Sequence, residues 1–120
     1  MGRNRYVGSW NESNFIEIDW SFSKENLVDL IKSVVNKTNQ YTHQQICNWC
    51  DKHYMNEDGL NDEKLYGILE DISAQWDLYL TNTFSLKELQ QLDFSKVKLP
   101  IEWFEGWLKE LTYHFLNRSL

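Results

Sequence analysis

Residues 61–82, NDEKLYGILEDISAQWDLYLTN, decide the architecture because they read as one long amphipathic helix. Leu65, Ile68, Leu69, Ile72, Trp76, Tyr79 and Leu80 recur at three- and four-residue spacing. At about 100° per residue they gather on one side of the cylinder. Asn61 or Asp62 supplies the N-cap. A helix this long with one apolar stripe must lay that stripe against other helices.

Working outward, the chain repeats the pattern. Residues 56–61, with Gly59 among charged and amide side chains, form a loop. Before them Thr42 and Gln45 make a capping-box pair that opens a second helix over residues 42–55. Ser23 caps a first helix with Leu27, Leu30, Ile31 and Val34 on one face. After the long helix, Ser85 and Glu88 repeat the capping box for a short fourth helix ending near Leu92. Leu99-Pro100 opens the last: proline at a first helical position sacrifices no bond, and Glu102 and Glu105 suit the positive end of the dipole. Its inward face is Phe104, Trp107, Leu108, Leu111 and Phe115.

The exception is the beginning. Ile16, Ile18, Trp20 and Phe22 alternate with Glu17, Asp19 and Ser21, the period-2 pattern of extended chain. With no evident strand to pair, this stretch reads as an extended segment whose apolar face lies across the helices, or as one arm of a small hairpin with Tyr6 to Trp10. The expected fold is therefore all-α: a compact bundle of about five helices in one domain over residues 1–120. Residues 1–22 form the extended segment and residues 23–118 the bundle.

Composition narrows the function classes. Hydrophobic residues make up 42% of the chain, with six Trp, six Tyr and six Phe, which excludes disorder. No run approaches the ~18 apolar residues that cross a bilayer. Arg3 and Arg5 are followed by no apolar h-region, so no secretory signal is read and a cytoplasmic location is expected. The net charge is −6, and the whole excess lies between Asn56 and Asp77, where seven acids face only Lys64. The remaining eleven acids and eleven bases cancel. Such a balance disfavours a phosphate backbone as ligand, since nucleic-acid readers carry a basic stripe.

On the long helix Asp62, Tyr66, Glu70, Ser73 and Asp77 fall within an arc of about 80°, away from the apolar stripe. Glu63 flanks the arc, and Glu57 and Asp58 precede it in the loop. Like charges four apart cost an isolated helix a few tenths of a kcal/mol per pair. The plain reading is a solvated helix face. The functional reading is a docking ridge for a basic protein, because opposed fields raise association rates. Glu57, Asp58, Asp62, Glu63, Tyr66, Glu70, Ser73 and Asp77 are its candidate residues.

Other chemistry fails on geometry. His43, Cys47, Cys50 and His53 are zinc-ligand types spaced H-x3-C-x2-C-x2-H, but on one straight helix they span about 15 Å and do not converge on one ion. Cys50 sits near the centre of the apolar arc with Ile46 and Tyr54, where a free thiol behaves as a small hydrophobe. As a redox pair Cys47 would need a helix N-terminus after a strand, and it lies more than a turn inside. Gly59 occupies the sixth place of a calcium-type loop, yet Tyr54 and Leu65 at its first and twelfth places offer no carboxylate. No phosphate cradle or nucleophile elbow occurs, so no catalytic residue, metal or cofactor is assigned. Among the aromatics of the last helix, Phe104, Trp107 and Phe115 belong to the core stripe, while Trp103 and Tyr113 fall outside its centre.

In size, acidity, helical patterning and lack of a catalytic motif, the chain resembles the small immunity proteins of bacterial toxin systems, those of contact-dependent growth inhibition and of colicins. The resemblance covers residues 23–117 in character, and specifically Ser85-Leu86-Lys87-Glu88-Leu89 and Leu99-Pro100-Ile101-Glu102-Trp103-Phe104. It implies tight neutralisation of one cognate toxin by a monomeric protein, with the toxin a basic domain, foremost a nuclease, and no contact to nucleic acid or membrane. A helical adaptor that scaffolds another protein is the alternative. A small thiol- or metal-dependent enzyme around Cys47 and Cys50 is the third reading.

Overall fold

In the computed structural model, which describes residues 16–119 with side chains up to Tyr113, five α-helices follow one another. They are α1 (Lys24–Val35), α2 (His43–Met55), α3 (Glu63–Thr83), α4 (Leu86–Gln91) and α5 (Ile101–Ser119). A 3-10 turn at Phe94–Lys96 separates the last two. The described residues contain no strand, and none of their helices is long and apolar enough to cross a membrane.

Each start is set by a short polar side chain that replaces a missing intrahelical acceptor. Ser23 Oγ accepts from the Asn26 N–H at 3.0 Å, and Asp62 Oδ1 from the Leu65 N–H at 3.3 Å. Both expected capping boxes are closed: Thr42 with Gln45 at 3.1 and 2.8 Å, Ser85 with Glu88 at 3.1 and 2.8 Å. Pro100 stands one residue ahead of α5, and its carbonyl accepts from the Trp103 N–H at 3.0 Å.

The helices pack chiefly as two pairs, α2 on α3 and α1 on α5. The first pair is an antiparallel hairpin. Tyr54 at the end of α2 lies beside Tyr66 early in α3, with ring centroids 5.0 Å apart, while Asp51 meets Ser73 two turns further along. Between the pairs runs one core that includes Leu27, Ile31, Ile46, Leu69, Ile72, Leu80, Phe104 and Leu111, none of them more than 1% exposed. Each such side chain contributes about 1.5–3 kcal/mol by leaving water.

The extended segment lies across α2, as its alternation predicts. Gln45 Nε2 donates to the Ile16 carbonyl at 2.7 Å and the Trp49 indole N–H to the Trp20 carbonyl at 2.9 Å. Ile18 is buried, Trp20 and Phe22 are half-buried, and Phe22 stacks against Trp49 and His53. Ile16, expected on the same inward face, is 76% exposed. The hairpin partner Tyr6 to Trp10 lies outside the described residues.

One buried passage carries no helical or strand period: Phe94, Val97 and Leu99 in the connection to α5 all enter the core. The backbone there needs partners. His43 provides one, its Nδ1 accepting from the buried Leu99 N–H at 2.9 Å while its ring meets Phe104 edge-on at 4.7 Å. Burial, with Lys98 nearby, depresses this imidazole to a pKa of about 4, which keeps it neutral and accepting.

Candidate functional site

The acidic stretch divides where α2 crosses α3. Glu63, Tyr66 and Glu70, at i, i+3 and i+7, form an open stripe that runs past the C-terminal turn of α2. Glu57 joins them from the turn between the two helices. Glu57, Glu63 and Glu70 are exposed, and none makes an ion pair with a lysine or arginine among the described residues. Tyr54 Oη donates to Glu70 Oε2 at 3.1 Å, and Tyr66 Oη donates to the Tyr54 carbonyl at 3.2 Å. These bonds hold two phenol rings between the carboxylates. Partial desolvation, with Glu57 and Glu70 close by, raises the Tyr66 pKa, so its hydroxyl stays a donor.

The other half of the expected ridge is used inside the protein. Ser73 is fully buried and donates to Asp51 of α2, so it contributes nothing to a surface; this corrects its assignment as a docking residue. Asp77 is half-covered one turn further on, close enough for its charge to act on the Cys47 thiol. The physical reason is the way α2 lies on α3. The polar arc of α3 borders its apolar stripe, and α2 covers that border from Ser73 onward. Small Ser and Asp side chains fit beneath it.

Two more of the expected residues have local duties. Asp62 is the N-cap of α3 and pairs with Lys24 at 3.7 Å. Asp58 Oδ2 takes a 2.6 Å bond from His53 Nδ1, pinning the turn to the end of α2. Of the expected docking residues, Glu57, Glu63, Tyr66 and Glu70 therefore remain open or half-open without such a duty, and Tyr54 lies beside them. Met55 and Leu60, 42% and 54% exposed, flank the turn that carries Glu57. Periodicity had placed Tyr54 on the apolar arc, and its ring does pack there. Only the meeting of two helices brings its hydroxyl to Glu70.

The turn itself is built against local preference. After α2 the Glu57 N–H donates to the Tyr54 carbonyl and the Asp58 N–H to the His53 carbonyl, both at 3.0 Å, closing the helix in Schellman fashion. That closure puts Glu57 in the left-handed region at φ 60°, where glycine is usual. A carboxylate is also unfavourable at the negative end of a helix dipole. Gly59, at φ 78°, has no substitute, since a Cβ there would lie 2.9 Å from the Phe22 ring.

His43, Cys47, Cys50 and His53 are spent separately. His43 serves Leu99 and His53 serves Asp58. Cys47 and Cys50 are fully buried, and desolvation raises both thiols, with Asp77 and Asp51 adding to it at Cys47 and Cys47 and Asp51 at Cys50. Thiols held protonated in this way are poor nucleophiles and poor ligands. Among the described residues, no three His, Cys, Asp or Glu side chains gather as a metal site. No family model, curated protein or solved structure matches this chain.

Proposed function

We propose that this chain is a non-catalytic binding protein whose α2–α3 turn docks on a cationic protein surface. The partner in this reading is the basic catalytic domain of a bacterial toxin, foremost a nuclease, which the chain neutralises by covering its active site. One observation carries the proposal: Glu57, Glu63 and Glu70 stand exposed and without ion pairs among the described residues, around two hydrogen-bonded tyrosines. Tyrosine supplies large contact area at low entropic cost, and unmatched carboxylates steer a basic partner into register. The cleft of a nuclease is positive because it grips phosphates, so a carboxylate cluster addresses the same groups.

The test has two stages. Affinity capture from the source cell, read by mass spectrometry, should return a protein with a basic patch. Stopped-flow association with that protein should then slow about 10- to 1,000-fold at low salt when Glu57, Glu63 and Glu70 are all changed to Lys, with a flattened salt dependence. A captured partner that associates at the same rate and salt slope with the triple variant would sink this reading and favour a helical adaptor using another face.

A further inference from the structure

On the other side of α3, where α5 passes, the helices meet over a short stretch and leave a groove of about 360 Å³. Among the described residues its lining includes Asp71 from α3 and Glu102, Trp103, Gly106, Trp107 and Glu110 from α5, and no lysine or arginine. The Trp107 indole N–H donates to Asp71 Oδ2 at 2.7 Å, which fixes both the ring and the carboxylate. Trp103 is half-buried and held edge-on by two neighbours, Tyr79 at 5.8 Å and Trp107 at 6.5 Å. Lys64 reaches Glu110 at 3.9 Å, but both side chains are more than half exposed, so that pair is weak and displaceable.

Gly106 leaves the floor of the groove open. Glycine inside a helix weakens it, and a Cβ built at this position meets nothing within 4 Å. No packing requirement explains the residue. Its consequence is a bare floor between Trp103 and Glu110, one turn to either side on the same face of α5.

We infer that this groove receives one arginine side chain of a polypeptide partner. A guanidinium is planar, so it stacks on the Trp103 indole while its edge bonds carboxylates such as Glu102 and Glu110. A lysine ammonium, strongly hydrated and without a flat face, uses the site less well. The groove is turned by roughly 100° around α3 from the Glu63–Tyr66–Glu70 stripe, so it is a second site and does not rest on the reading of the first.

The probe is N-acetyl-arginine-N-methylamide, followed through the indole N–H resonances of the full-length protein. It should shift the Trp103 and Trp107 signals saturably. The citrulline analogue, with the same outline and no charge, should bind about 10-fold or more weakly, with the lysine analogue between them. Gly106→Met fills the floor without touching a charge and should abolish the shifts. Glu102→Gln should weaken them several-fold, and the triple reversal at the α2–α3 turn should leave them unchanged. Indole signals that ignore arginine, follow citrulline equally, or respond undiminished in Gly106→Met would overturn the inference.

Discussion

Glu70 and Ser73 stand one turn apart on the same polar arc of α3 and meet opposite fates. Glu70 lies beside the last turn of α2, exposed, with a tyrosine hydroxyl as its only bonded partner among the described residues. Ser73 lies under α2 with no exposed surface, bonded to a buried carboxyl. The difference is made by the neighbour and not by the helix. A polar arc bordering an apolar stripe is surface only as far as the next helix leaves it uncovered, so the acidic ridge ends where α2 crosses.

The sharpest way to break that comparison is one substitution at each position. Ser73→Lys places an ammonium beneath α2 and should destabilise the protein by about 3–5 kcal/mol, enough to unfold a domain of ordinary stability. Glu70→Lys should change stability by no more than about 0.5 kcal/mol. Urea titrations of the two variants decide it. Equal midpoints would mean that Ser73 is as open as Glu70 and that the division of the ridge is wrong.

A second contrast sets His43 in the fold against His43 in the unfolded chain, and pH reads it. The folded state holds His43 at about 4 against 6.5 for a free imidazole. Between those values the unfolded chain binds the extra proton, so stability rises with pH across the window and is lost as pH falls from 6.5 toward 4. The loss amounts to about 3 kcal/mol in all. His43→Asn keeps an acceptor for the Leu99 N–H and should remove this part of the pH dependence. His43→Leu leaves that buried N–H unbonded and should cost about 1–3 kcal/mol at pH 7.

Why some of this was legible and some not follows from the range of the forces. The caps at Ser23, Thr42 and Ser85 are bonds between residues three apart, so sequence spacing alone displays them. The stripe of α3 is likewise local, since one helix period produces it. Phe94, Val97 and Leu99 follow neither period, because a connection buried against α2 is shaped by what it plugs. The fate of Ser73 and the hydroxyl of Tyr54 depend on how two helices pack together. The α3–α5 groove depends on two helices failing to close. None of these three has a signature in a single segment.

The extended segment and the turn differ in how firmly each is tied to α2. Trp49 binds the segment through its indole N–H as well as its area, and Trp49→Phe removes the bond to the Trp20 carbonyl while keeping most of the ring. The expected cost is about 1–2 kcal/mol in chemical denaturation, with amide exchange accelerating first in residues 16–22. Uniform acceleration over the whole bundle would mean that the segment is an integral part of the core and not a strap laid upon it.

At the turn the comparison becomes one between stability and use. Glu57 occupies a left-handed position that glycine fills without strain, at a helix end where its charge is disfavoured. Glu57→Gly should therefore stabilise the protein, by about 0.5–1 kcal/mol, a shift of a few degrees in the midpoint of thermal unfolding. The same change deletes one of the carboxylates around the two tyrosines, so it should slow capture of a basic partner. Glu57→Asn, uncharged but tolerant of the left-handed conformation, separates the two effects: association should slow as in the glycine variant while the gain in stability is smaller. If glycine stabilises and leaves association untouched, the strain at Glu57 serves no docking surface, and the stripe on α3 must act without the turn.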